Sequence, residues 1–533
     1  MEDNFLQRNK DLIIVLTLYS VLAVFSLRYY QYQIGGDELS YINIAREYAS
    51  GNWGAGINGY WSPLISWLMV PFLSFGFTHL YAVHVSKVLC LIIGFFTIIS
   101  VKQFSNLFNL DKTVKRALLF SLIPVVLLFS LTYNTPDLLL ACLLVYYLSI
   151  VFDPNYFGSW HNGVLCGFVG ALAYFAKSYA FPFFVVHFIF FNLLYYFKGL
   201  NKQEKEGALK NLILGLMVFF VVSGLWIGTI SDKYGKLTIG TAGEYNQALM
   251  GPEYAVNTLK YGENPVYYVG LIKPPKKSAI SIWDEPSYSN LHHWSPFDSW
   301  GSFIYQLKLI WANIEYTTEI IESFFLIAVV ILISVILFIL KIKPRKTSKN
   351  LFVYILISMF IYMGGYCIII PEWRYLWFIC LLVMMIAFCL VDSLFKDDMI
   401  GLHFRNILLI LLILSFVLEP AYEIYALSGD DHGVYSLSST LKSDYGIQGN
   451  IASNAEWGKM LPISYYLDAH YYGLTKKNSS YPELEKELTE NNIDYYFVWN
   501  STDDLQLSNY KEVTDGKMKD LRIYSRIKSY SKF

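Results

Sequence analysis

Trp61-Ser62-Pro63-Leu64-Ile65-Ser66-Trp67-Leu68-Met69-Val70-Pro71-Phe72-Leu73-Ser74-Phe75-Gly76-Phe77 is the stretch whose reading decides the fold. It is apolar enough to pass for a membrane span, and its length sits at the lower end of the roughly 17–25 residues a spanning helix uses. Two prolines and three serines argue otherwise. Trp61 and Trp67 favour the head-group region, so the segment reads as a helix lying in the membrane interface. If it spans, the distribution of charge along the rest of the chain becomes random. If it does not, that distribution is sharply one-sided.

The chain has 533 residues, of which 55% are hydrophobic and only 16% charged. Its mean hydropathy is +0.39. A soluble domain carries about 25% charged residues, so the composition is that of a membrane protein. The formal net charge of -1 points away from nucleic acid. Eleven apolar segments predict membrane helices, at about 11–28, 80–101, 116–132, 136–152, 161–176, 179–197, 211–230, 319–340, 351–370, 375–392 and 406–424. The pair at 161–197 is short, and Pro182 interrupts its second member. The first run lacks a small-residue cleavage pattern and is followed by Arg28 and tyrosines, so it reads as a retained helix and not a signal peptide.

With the N-terminus in the cytoplasm, the inside loops hold 17 basic residues: Arg8 and Lys10; Lys102, Lys112, Lys115 and Arg116; Lys198, Lys202, Lys205 and Lys210; Lys341, Lys343, Arg345, Lys346 and Lys349; Lys396 and Arg405. The short outside segments hold Arg28, Arg46, Lys177 and Arg374. This is the positive-inside asymmetry of a cell-membrane protein. The first external loop then covers 29–79 and a large one 231–318, and residues 1–425 form a transmembrane domain. Residues 426–533 are expected to form a small extracytoplasmic α/β domain, from strand signals at Ile451–Asn454, Ile493–Trp499 and Leu521–Ile527 and a helix at Pro482–Asn491. The six cysteines all lie in apolar runs and imply neither disulfides nor zinc.

Four outside turns carry ionisable groups. Gly35-Gly36-Asp37-Glu38-Leu39-Ser40-Tyr41 opens an amphipathic helix that Gly51 ends, and Asp37 can serve there simply as a cap. Thr135-Pro136-Asp137 puts an acid in a helix's first turn. Lys177 can snorkel to the interface. Pro371-Glu372-Trp373-Arg374-Tyr375 offers a guanidinium shaped for bidentate phosphate binding. Together they deliver acids and bases to one face, which is what transfer from a lipid phosphate requires. A carboxylate takes a proton from an acceptor hydroxyl, and cations stabilise the departing phosphate. Lys87, inside a spanning segment, either faces a polar interior and helps bind that phosphate or snorkels from the helix end. His292 and His293, near Asp284 and Glu285, match no standard metal spacing.

Gly36-Asp37-Glu38-Leu39-Ser40-Tyr41, with Ala45-Arg46-Glu47-Tyr48 and Gly51, resembles the first external loop of GT-C fold glycosyltransferases, in the protein O-mannosyltransferase and lipid A aminoarabinose transferase branch. Trp61-Ser62-Pro63-Leu64, Trp67 and Pro71 resemble that family's second interfacial segment. Thr135-Pro136-Asp137 resembles its second acidic site, and Glu372-Trp373-Arg374-Tyr375 its late Arg-Tyr element. Ala452-Ser453-Asn454-Ala455-Glu456-Trp457-Gly458 resembles the start of soluble domains attached to such enzymes. Ser62 departs from relatives that carry a lysine there, and the Trp-Trp-Asp motif of oligosaccharyltransferases is absent.

The resemblance implies a polyprenyl-phosphate-linked sugar donor, an inverting transfer and a glycan, lipid or protein acceptor outside the cytoplasm. Asp37 would be the general base, with Glu38 and Asp137 as accompanying catalytic acids. Arg374, Lys177, Lys87 and Tyr375 would bind the donor phosphate. Acids beside a phosphate can hold a divalent cation or work without one, and Asp37 and Asp137 would be its ligands. The alternatives are a lipid-linked glycan transporter or flippase, or an O-antigen type ligase or polymerase.

Overall fold

The computed structural model describes residues 9–76, 78–199, 201–254, 270–289, 291–325, 327–341, 346–429, 432–477, 479–500, 505–518 and 520–527. Arg8, Lys343 and Arg345 of the charge pattern, and Phe77, lie outside the described residues. The chain is a multi-pass membrane protein. Eight described helices are long and apolar enough to cross a bilayer.

In chain order the helices are α1 (Lys10–Tyr30), α2 (Gly36–Ala49), α3 (Leu64–Leu73), α4 (His79–Ser105), α5 (Lys112–Thr132), α6 (Asp137–Val151), α7 (Trp160–Ala176), α8 (Ala180–Lys198), α9 (Lys202–Tyr234), α10 (Ala242–Leu249), α11 (Trp300–Phe324), α12 (Ala328–Lys341), α13 (Lys346–Ile368), α14 (Trp377–Lys396) and α15 (Leu402–Ala426). The 61–77 stretch yields α3, ten residues long. At 1.5 Å per residue it covers about 15 Å, half the hydrocarbon thickness. Pro182 does not interrupt α8. It falls in the first turn, where a backbone N–H has no intrahelical partner to lose.

The expected span at 319–340 needs correction. Its two ends belong to α11 and α12, which meet at 104°. The continuous apolar run hid the break because composition reports burial in apolar surroundings, not straightness.

From Trp377 to Asp392 every residue of α14 is buried, as suits a helix that is apolar on all sides. By contrast, α1 exposes Ile13, Ile14, Leu18, Val21, Val24 and Phe25, the surface a peripheral membrane helix offers to lipid. Gly163 and Gly167, one turn apart on α7, lie against the backbone of Asn211 and Gly215 on α9, where an added Cβ would collide. This is the small-residue contact that lets membrane helices approach closely.

The two ends of the bundle differ. One end carries Arg116–Asp11 (2.8 Å), Lys396–Asp392 (2.7 Å) and Arg405–Asp111 (3.6 Å). The other carries α2, α3 and the described residues of 231–318 and of the C-terminal region.

That C-terminal region contains α16 (His432–Ser443), β1 (Asn450–Ser453), α17 (Trp457–Leu467), β2 (His470–Leu474), α18 (Tyr481–Glu490), β3 (Tyr495–Trp499), β4 (Tyr510–Glu512) and β5 (Leu521–Arg526). The sheet order is β2-β1-β3-β5-β4. β1 pairs parallel with β2 and β3, while β5 runs antiparallel to β3 and β4. The expected strands and helix all form. α17 and β2 carried no expectation. α17 docks on the bundle: the Tyr465 hydroxyl donates to the His79 carbonyl (3.0 Å), and Leu461 lies against Gly36.

Candidate active site

Asp37 does not cap α2. The N-cap is Gly35, and no side chain caps this end. Asp37 and Glu38 occupy the first turn, where negative charge suits the helix dipole. The Asp37 carboxylate turns away from its own helix. Its Oδ1 accepts from the Trp283 indole at 2.8 Å, and its Oδ2 accepts from the Arg374 guanidinium.

Arg374 sits at the centre of an acidic ring. Its Nη2 lies 3.0 Å from Glu372 and its Nε lies 3.8 Å from Asp137. Asp137 is the first residue of α6. It accepts from Thr135 Oγ1 (2.7 Å) and from Lys177 Nζ (2.5 Å). Lys177 therefore does not snorkel outward. Its ammonium sits 3.3 Å from the centre of the Tyr375 ring, a cation–π contact strengthened by its removal from water. Tyr375 is positioned in turn by Tyr362, whose hydroxyl donates to the Tyr375 carbonyl (3.0 Å).

A cavity of about 300 Å³ opens at this point, lined by Gly35, Gly36, Asp37, Glu38, Tyr133, Tyr316, Glu372, Trp373 and Arg374. Of the residues singled out in sequence, Asp37, Glu38 and Arg374 reach the cavity. Asp137, Lys177 and Tyr375 form the layer behind Arg374. Lys87 is buried in α4 and donates to the Leu131 carbonyl (3.2 Å), so it has not snorkelled either. Glu38 is buried and accepts from the Asn134 backbone N–H at 3.3 Å. Burial, with Asp37 beside it, pushes the Glu38 carboxyl above its usual range, and Arg374 and Lys87 oppose this only in part. Asp37 keeps 18% of its side chain exposed. It is the accessible acid of the pair.

A guanidinium occupies the gap between Asp37 and Asp137, the two acids that would hold a divalent cation. Among the described residues, no three of His, Cys, Asp and Glu are grouped as a metal site. Asp284 and Glu285 do not approach a histidine pair. His292 and His293 are exposed, and His293 Nε2 lies 4.0 Å from Glu244.

Trp283 is the site residue that sequence reasoning missed. It lies 246 positions from Asp37, in a segment without periodicity. Its position is tightly determined. Its carbonyl accepts from Ser40 Oγ (3.1 Å) and Trp61 Nε1 (3.0 Å). The next residue, Asp284, accepts from Asn43 (3.2 and 3.3 Å) and from the Ile280 N–H (2.8 Å), and the Asn58 carboxamide donates to its carbonyl (2.8 Å). Glu285 pairs with Lys233 (2.5 Å) and accepts from the Tyr234 hydroxyl. The one sequence signal was Asp284-Glu285 itself, two charges in a loop rich in Trp and Tyr.

Comparison with family models and with curated proteins gives no match. Solved structures do match. ArnT from Cupriavidus metallidurans, bound to undecaprenyl phosphate, superposes with a TM-score of 0.56 at 13% identity, over 98% of this chain and 99% of that one. The archaeal oligosaccharyltransferase AglB from Archaeoglobus fulgidus, in complex with an inhibitory peptide and a dolichol-phosphate, gives 0.50 at 11% identity, over 93% of this chain and 70% of that one. The fold is therefore the GT-C fold, an all-α polytopic membrane domain with a small α/β region at its C-terminus. Within that fold the chain is similar to ArnT along almost its whole length.

Proposed function

We propose that the protein is a membrane glycosyltransferase that moves a sugar from a polyprenyl-phosphate donor to an acceptor hydroxyl outside the cytoplasm. In this reading the N-terminus is cytoplasmic, residues 1–425 are the catalytic membrane domain, and the site and residues 426–533 face outward. The observation that carries it is the Arg374 guanidinium held on Asp37 at the wall of a 300 Å³ cavity, on a fold shared with two proteins solved with polyprenyl phosphates.

Asp37 is the general base. The acceptor O–H gives its proton to the Asp37 carboxylate as its oxygen bonds to the anomeric carbon. The bond from that carbon to the phosphate oxygen breaks, and the electron pair leaves with polyprenyl phosphate. An attack from the side opposite the phosphate inverts the anomeric centre. Arg374 takes the developing phosphate charge. Its bond to Asp37 makes the two steps interdependent, because a donor phosphate competes for the guanidinium and frees Oδ2 to accept the proton. Lys177 and Lys87 add positive potential from behind, with Asp137 and Tyr375 setting the position of Lys177. Glu38, kept from ionising readily by burial, supports the Asn134 backbone beside the cavity. Positioning of both substrates supplies much of the rate.

The test is transfer from a synthetic polyprenyl-phosphate sugar in proteoliposomes containing wild type or Asp37→Asn. Loss of the glycosylated product on Asp37→Asn, with protein level and melting temperature retained, is the expected result. Undiminished transfer by that variant would overturn the assignment of the base. Movement of the lipid-linked donor across the bilayer with no glycosidic bond formed would replace the reading by a transporter.

A further inference from the structure

Three aromatic side chains line the cavity beside Asp37: Tyr133, Tyr316 and Trp373. They differ in what already covers them. Trp373 is stacked on Phe324, with ring centres 4.5 Å apart and planes 17° apart, and it also meets Phe129 and Trp377 edge to face. Tyr375, in the layer behind, is taken as well: Lys177 sits 3.3 Å from its ring centre, and the Tyr366 ring stacks on it at 4.9 Å. Tyr133 and Tyr316, by contrast, stay 40% and 48% exposed.

Of these two open rings, Tyr133 is the one held in place around the site's own charges. It follows the last residue of α5 in an extended conformation. The turn beyond it is tied down, because the Asn134 N–H donates to Glu38 (3.3 Å) and the Thr135 hydroxyl to Asp137 (2.7 Å). Its ring is braced by Trp373 and Trp377, whose ring centres lie 5.9 and 6.3 Å away, and Trp377 is wholly buried. The Arg374 guanidinium carbon stands 5.7 Å from the centre of the Tyr133 ring. That is close to the outer limit of a cation–π contact, about 6 Å, so the cation adjoins the ring without being seated on it.

We propose that Tyr133 is the platform on which the sugar ring of the donor stacks. The inference rests on the polyprenyl-phosphate reading above, in which Arg374 takes the phosphate. The anomeric carbon is one oxygen away from that phosphorus, so the sugar lies beside Arg374, and Tyr133 is the open ring that Arg374 adjoins. A pyranose carries hydroxyls around its rim and C–H groups on its faces. The slightly positive C–H groups suit the negative face of an aromatic ring, and stacking removes that apolar face from water. The rim hydroxyls remain free for polar groups, and Glu372 lines the same cavity. The platform therefore selects a sugar by its faces: a pyranose with a flat C–H face is accepted, and one with an axial hydroxyl aimed at the ring is disfavoured.

The test is equilibrium binding by calorimetry, on the purified full-length chain in detergent. The probes are undecaprenyl phosphate and the undecaprenyl-phosphate derivatives of glucose, galactose and mannose. Wild type is expected to bind at least one glycosylated lipid more tightly than the bare phosphate. Tyr133→Ala should weaken that lipid roughly five- to ten-fold, the worth of one aromatic contact, and leave the bare phosphate unchanged, which also shows that the variant is folded. Tyr133→Phe should bind as wild type does. A preference for the glycosylated lipid that survives Tyr133→Ala would overturn the platform and leave the proposed function standing. So would a wild type with no such preference, or a Tyr133→Phe that loses as much as Tyr133→Ala. An equal loss for bare and glycosylated lipids would overturn it too, by assigning the ring to the isoprenoid chain or the phosphate. Binding of none of the four lipids by wild type would sink the polyprenyl-phosphate reading itself, and the platform with it.

Discussion

Asp37-Glu38 and Asp284-Glu285 are the same dipeptide, set at the same end of the bundle and bridged by one residue, Trp283. The first opens on a cavity, and its basic partner Arg374 is shared among Asp37, Glu372 and Asp137. The second is closed. Asp284 and Glu285 are 4% and 3% exposed, and each carboxylate has donors from the protein itself. Acids satisfied by their own fold hold a loop in place. An acid whose guanidinium partner is contested and partly exposed is available to a substrate. The sequence pair is identical, so the difference comes entirely from what the surrounding chain brings to it.

That contrast predicts opposite phenotypes. Asp37→Asn is expected to cost about 10²–10⁴-fold in transfer rate, the usual worth of a positioned general base, with little change in melting temperature. A loss of stability matching the loss of rate would erase the distinction between the two pairs. Lys233→Met strands the Glu285 carboxylate in a buried setting. Removing one partner of a buried pair costs about 3 kcal/mol or more. The denaturation midpoint of the purified protein should fall accordingly, and limited proteolysis should open the 270–289 segment. An unchanged midpoint would show that the second pair holds nothing.

The closed pair also carries a pH signature. Burial raises the Asp284 carboxyl from 3.8 to about 6, and its hydrogen bonds offset this only in part. The folded state therefore favours the protonated acid. The stability this supplies is fully present below about pH 4 and is lost as pH rises through about 6. At about 1.4 kcal/mol per unit its ceiling is roughly 3 kcal/mol. Stability measured against pH should show this fall as a difference between wild type and Asp284→Asn. A difference that is flat across the interval would mean that Asp284 ionises in the fold as it does in water.

Much of this was legible in the sequence, for identifiable reasons. Long apolar runs report membrane helices because the bilayer demands them, and the prolines of 61–77 reported a segment that does not span. The order Asp37, Asp137, Lys177, Arg374 was visible because each lies in a turn at the end of an apolar run. The bend between α11 and α12 was not, because apolar residues suit both a membrane interior and its surface. The closed pair was visible only as charge, without its role. Ser40, Asn43, Asn58 and Lys233 meet Trp283-Asp284-Glu285 across separations of 52 to 244 residues, and no local pattern encodes such contacts.

Trp283 offers the finest test of the comparison, since it belongs to both pairs. Its backbone is held by the closed pair's surroundings, and its indole N–H reaches the open pair's base. Trp283→Phe keeps an aromatic ring against Tyr60 and Trp61 and removes the donor. The kcat should therefore fall about ten-fold, the worth of one hydrogen bond to a charged group. KM should hold, because the indole orients the base and does not carry the donor phosphate. A merely structural tryptophan would instead lower stability and leave kcat in place. A rise in KM with kcat unchanged would move Trp283 from the base to the substrate, and would leave Arg374 as the sole group orienting Asp37.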